Sequence, residues 1–132
     1  MITERIRRMT PSKTIELEGT VVEMKASGIH VIGLNVGEPD FNTPENIIKA
    51  CEKAIEEGKT KYTPVSGIMP LRKAICDKLK KDNDVNYTPK EIVVSTGAKQ
   101  ALHNALLTIC SPGDEVIIPI PCWVSYVEMV KL

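Results

Sequence analysis

Glu91-Ile92-Val93-Val94-Ser95-Thr96-Gly97-Ala98-Lys99-Gln100-Ala101-Leu102 is the stretch that decides the fold. Ile92-Val93-Val94 reads as a short buried strand. Ala98, Ala101, Leu102, Ala105, Leu106 and Ile109 then recur at helical spacing, so a helix follows directly. Small residues at a strand-to-helix turn leave backbone N–H groups open at the helix start, and those donors and the helix dipole favour a phosphate. The segment is neither G-x-G-x-x-G nor G-x-x-x-x-G-K-[ST], and taken alone such a turn serves close packing as readily as ligand binding. Lys99 reads either as a phosphate neighbour through its backbone N–H or as a solvated helix residue.

Downstream, Ser111-Pro112-Gly113-Asp114 is a turn and Glu115-Val116-Ile117-Ile118-Pro119 the next strand. Pro121-Cys122-Trp123-Val124-Ser125-Tyr126 sits at its end, and a helix begins near Trp123. A phosphate cup at one strand end and an aromatic plate at the next suit a flat phosphorylated cofactor. Trp123 alone would read as a core or interface anchor, and Tyr62 alone as a loop staple.

Upstream, Leu17, Val21 and Met24 suggest a helix from about Pro11 to Ser27, stopped by Gly28. Val31 to Val36 reads as a strand running into the turn-rich Gly37-Glu38-Pro39-Asp40-Phe41. Thr43-Pro44-Glu45 is a helix start with cap, proline and first-turn acid. Ile47, Ile48, Cys51, Ala54 and Ile55 form its expected buried face, and Gly58 ends it. After the loop Lys59–Met69, a second helix turns Leu71, Ile75 and Leu79 inward, and Lys80 to Asp84 is its solvated end. Thr88-Pro89-Lys90-Glu91 leads into the Ile92 strand. Strand–helix–strand–helix order predicts an α/β fold with a parallel sheet.

The 132 residues suffice for one domain. Seventeen basic and seventeen acidic side chains cancel, with no basic stripe, which speaks against a nucleic-acid partner. No apolar run approaches the roughly 20 residues that span a membrane. Met1 to Arg8 is basic with no apolar stretch behind it, which is an arm rather than a secretory signal. Cys51, Cys76, Cys110 and Cys122 form no C-x-x-C pair, and His30 and His103 lack ligands at metal-site spacing, so no metal site is expected. Small buried thiols in a reducing cytoplasm are the expectation.

These blocks resemble a known family. Leu34-Asn35-Val36-Gly37-Glu38-Pro39-Asp40-Phe41, Lys61-Tyr62-Thr63-Pro64-Val65-Ser66-Gly67-Ile68 with Leu71-Arg72, Ser95 to Leu102, Pro112-Gly113-Asp114-Glu115-Val116 and Pro121 to Tyr126 follow one another as in the N-terminal third of class I, fold type I pyridoxal-phosphate aminotransferases. The bacterial-type aspartate aminotransferase subgroup is the most similar. The resemblance implies an incomplete fold type I architecture. Residues 1–43 would be the N-terminal arm and small-domain segment, and 44–132 the first part of the cofactor-binding large domain.

It also implies roles. Gly97, Ala98 and Lys99 would hold the phosphate of pyridoxal 5'-phosphate, and Trp123 would stack on its ring. Gly37, with Trp123, would lie beside the substrate. Tyr62 would reach across a homodimer to the partner's cofactor phosphate. Pro11-Ser12-Lys13-Thr14 would sit near the site's mouth. Cys122 stands where the family usually has Tyr, a change expected to alter ring packing and not to add thiol chemistry. The Schiff-base lysine, and with it every catalytic residue, is expected beyond Leu132.

The implied activity of the longer protein is transamination between an amino acid, aspartate or similar, and a 2-oxo acid, in the cytoplasm, with no membrane or nucleic-acid partner. The chain 1–132 alone should not transaminate. Uncovered Val116, Ile117 and Ile118 should leave it partly unfolded or aggregation-prone. Other readings are a truncated non-catalytic interaction partner, or a fold type I enzyme of elimination or ring closure. A nicotinamide module lacks its glycine fingerprint.

Overall fold

Six α-helices form where capping and breaker residues allow them, in a computed structural model that describes residues 1–132. They are α1 (Glu4–Arg7), α2 (Lys13–Ala26), α3 (Glu45–Glu56), α4 (Met69–Asn83), α5 (Gly97–Ile109) and α6 (Val124–Lys131), with a 3-10 turn at Pro89–Glu91. The predicted stops hold. Gly28 and Gly58 follow α2 and α3 at φ +79° and +70°. The amides of Gly28 and Ile29 donate to the carbonyls of Lys25 and Met24, and those of Gly58 and Lys59 to Ile55 and Ala54, closing both helix ends. α3 begins one residue later than its sequence suggests. Pro44, not Thr43, is the cap residue, and its carbonyl accepts from Ile47 and Ile48.

The chain divides into two compact units, Met1–Asn42 with Leu106–Leu132, and Thr43–Ala105. In the second, α4 packs on the 3-10 turn, and Cys76 and Ile92 are buried. Arg72 fastens this pair, its Nη2 donating to the Pro89 carbonyl. α4 ends at Asp84, whose left-handed φ of 53° lets Val85 N–H donate to Leu79 O. In the first unit Met129 is the buried residue. Here Asn35 Nδ2 donates to Glu18 Oε2 at 2.6 Å, tying the loop before Gly37 to α2.

The predicted parallel sheet is not present. Val31–Val36, Ile92–Val94 and Glu115–Pro119 form no strand. A strand exists only through its ladder, and these three runs do not pair with one another. Ile92 is extended, at φ −106° and ψ 128°, without a neighbouring strand.

The same lack of cover corrects the predicted helix faces. Ile47, Ile48 and Ile55 of α3 are exposed, and so is Cys51, which was expected to be buried. Leu102 and Ile109 of α5 are also exposed. Ile117 is 93% exposed, which agrees with the expectation of an uncovered apolar run.

Candidate functional site

The turn into α5 is built by backbone geometry. Val94 N–H donates to Ser66 O at 3.1 Å, and Gly97 N–H donates to Ser95 O at 2.8 Å. Gly97 takes φ +78°, a left-handed value that an L side chain adopts only with strain. Nothing lies within 4 Å of the position a Cβ would occupy there, so conformation and not crowding requires the glycine. Gln100 turns its side-chain carbonyl back to accept from Thr96 N–H.

Gly97, Ala98 and Lys99 therefore make the first turn of α5, solvent-exposed and with no acidic residue among them. The first turn of a helix carries the positive end of its dipole, although the Gly97 amide here already donates to Ser95 O. An exposed anionic group such as a phosphate fits this turn.

Gly67 supports the turn from behind. Its φ is +98°, and a Cβ there would stand 2.5 Å from Val94 Cγ2 and 2.8 Å from Val94 Cβ. The Lys59–Ile68 loop is thereby pressed against the segment that enters α5. Its residue Tyr62 is fully exposed. The sequence marks Gly67 only as a loop glycine and gives no sign that it meets Val94.

Gly37 and Trp123 belong to the other unit. Gly37 is exposed with nothing within 4 Å of a would-be Cβ. Trp123 is the cap residue of α6 and is 43% exposed. Tyr126 meets it edge-on, with ring centroids 5.5 Å apart and planes at 88°, which orients the indole. Cys122 beside it is a half-buried free thiol. Lys13, in the Pro11–Thr14 segment, pairs with Glu16 at 2.8 Å. Each unit thus holds part of the predicted set: Gly97, Ala98, Lys99 and Tyr62 in one, Gly37 and Trp123 in the other.

Two carboxylates have lowered pKa values. The amide and hydroxyl of Thr88 both donate to Glu91 and hold its carboxyl below the ordinary range. Lys131 and the Thr10 amide do the same for Glu128. No three His, Cys, Asp or Glu side chains stand together as metal ligands would, and no helix is long and apolar enough to cross a membrane.

A model of the family described as Aminotransferase class I and II matches residues 29–132, and the chain belongs to that family. It is 51% identical over 132 residues to an aspartate aminotransferase of Bacillus sp. (strain YM-2), covering 100% of this chain and 34% of that protein. An aspartate/prephenate aminotransferase of Cereibacter sphaeroides is 50% identical, over 99% of this chain and 33% of the other.

Among solved structures, the aspartate aminotransferase from Thermus thermophilus with maleate matches at a TM-score of 0.96 and 43% identity, over 99% of this chain and 34% of that one. The chain spans about a third of the length of these relatives. Its backbone thus follows the path of part of a fold type I aminotransferase without itself forming the sheet.

Proposed function

We propose that this chain is part of a pyridoxal 5'-phosphate-dependent aminotransferase that moves an amino group between aspartate, or a similar amino acid, and a 2-oxo acid. The observation that carries the reading is the Gly97 turn: a left-handed glycine opening α5, with exposed first-turn amides and no nearby acid in that turn. Similarity to aspartate aminotransferases along the whole chain supports it.

In this reading Gly97, Ala98 and Lys99 hold the cofactor phosphate mainly through backbone N–H groups at the helix start, the Gly97 amide exchanging Ser95 O for the phosphate, and Lys99 contributes mainly through its backbone. The cofactor would supply an aldehyde and an electron-withdrawing pyridine ring. Trp123 plates that ring, with Tyr126 fixing the indole plane and Cys122 setting its packing. Gly37 lies beside the substrate carboxylate, where a side chain would intrude. Pro11 to Thr14 borders the mouth of the site. Tyr62, fully exposed here, reaches the cofactor phosphate of a second subunit in a homodimer. Residues 1–43 then serve as arm and small-domain segment and 44–132 as the start of the large domain, in a cytoplasmic enzyme.

In this reading the lysine that carries the cofactor is expected beyond Leu132, so residues 1–132 by themselves should not transaminate. The test is an assay of the full-length protein, loaded with pyridoxal 5'-phosphate and given aspartate and 2-oxoglutarate. Oxaloacetate formation is the expected result, and prephenate should be tried as a second acceptor because a relative's name includes it. Fumarate and ammonia formed from aspartate without amino transfer would instead indicate an elimination enzyme.

A further inference from the structure

The N-terminal arm is tied down at one point. Thr10 N–H donates to Glu128 Oε2 at 2.8 Å. Lys131 Nζ lies 2.8 Å from Oε1 of the same carboxylate and 3.5 Å from Thr10 Oγ1. The Glu128 side chain is 19% exposed, whereas the acid of each other ion pair is 40% exposed or more. Just before Thr10, Glu4 and Arg5 of α1, with Arg8 at its end, edge a cavity of about 550 Å3 that Leu106, Cys110 and Met129 also line. All of these residues lie in one compact unit.

We infer that Glu128 is the latch of an N-terminal strap: it pins Thr10 to α6, keeps α1 across this cavity, and on release exposes the half-buried Cys110 further to solvent. A carboxylate that accepts from a backbone amide and a lysine ammonium makes charge-assisted bonds, stronger than neutral ones. The same two donors keep Glu128 ionised, and so engaged, at neutral pH. α1 has four residues and could not hold itself in place. Two hydrogen bonds join the arm to α6: Thr10 N–H donates to Glu128, and Lys131 Nζ donates to Thr10 Oγ1. The inference rests on this geometry and not on the reaction proposed above.

The test uses the full-length protein and two readouts that need no activity: amide exchange at Thr10, and alkylation of Cys110 by iodoacetamide. Cys51, exposed on α3 in the other unit, is the internal reference. Glu128→Ala should speed Thr10 exchange by about tenfold and raise Cys110 labelling relative to Cys51. Glu128→Gln keeps an accepting oxygen and should protect Thr10 nearly as well as wild type. The inference fails if Glu128→Ala leaves either readout at its wild-type value. It fails equally if Cys51, buried Cys76 and Cys110 all gain reactivity together, which is loss of fold and not release of a strap. Glu128→Gln behaving like Glu128→Ala would also overturn it.

Discussion

Gly67 and Gly19 show how differently two glycines can be used. Gly67 has a left-handed φ of +98°, and a Cβ on it would stand 2.5 Å from Val94 Cγ2. The backbone strain costs about 1–2 kcal/mol for an L residue, and the overlap with Val94 about 1–3 kcal/mol more. Gly67→Ala should therefore lower the unfolding free energy of the full-length protein by about 2–5 kcal/mol. An unchanged urea midpoint would contradict that. Gly19 lies inside α2 with nothing within 4 Å. Gly19→Ala should stabilise by about 0.5–1 kcal/mol, read from the same titration. The sequence makes both positions visible as glycines and distinguishes neither, because the contact with Val94 joins residues far apart along the chain. Gly97 was legible for the opposite reason: its role depends only on the local change from extended chain to helix.

At the scale of elements, local signals were read well and pairing was not. Helix ends follow from residues within a turn of them, so Gly28, Gly58 and Trp123 marked their boundaries. A strand needs a neighbour that the local sequence does not name, and the apolar runs at 92–94 and 115–119 remain unpaired. The Arg72–Pro89 and Thr10–Glu128 bonds are illegible in the sequence on the same ground.

The 3-10 turn offers a check of a local element. Thr88 N–H and Oγ1 each donate to Glu91 Oε2 at 2.8 Å. The Glu91 carboxyl is thereby held below its ordinary value of 4.5. A lowered folded pKa means that the stabilising contribution is complete above that value and fades as pH falls through the folded one. Glu91→Ala should destabilise at neutral pH, and the gap to wild type should narrow under acid. Equilibrium unfolding measured across the acid range reads this directly, and a gap that widens below the ordinary carboxylate pKa would contradict it.

At the scale of the whole molecule, surface decides. A folded monomer of 14.6 kDa exposes about 6,900 Å2 by size scaling, and this chain exposes 11713 Å2. Cys76, Ile92 and Met129 are its only buried hydrophobic residues, and the apolar face of α3 lies open. The 132-residue polypeptide by itself should melt without a cooperative transition and bind a hydrophobic dye before heating. A sharp two-state melt of a monomer would contradict this. The family was legible because its short motifs keep their order along the chain. The division of those motifs between two compact units was not, since it depends on contacts between residues far apart in sequence.

The central claim is that backbone donors at the Gly97 turn grip the phosphate of the cofactor. The dissociation constant of pyridoxal 5'-phosphate from the full-length protein, compared among wild type, Gly97→Ala and Lys99→Ala, tests it most directly. Strain at φ +78° displaces the donors in Gly97→Ala, which should weaken binding about tenfold or more. Lys99→Ala keeps its amide and should bind within about threefold of wild type, as loss of an exposed charge allows. Wild-type affinity in Gly97→Ala together with a large loss in Lys99→Ala would contradict the account.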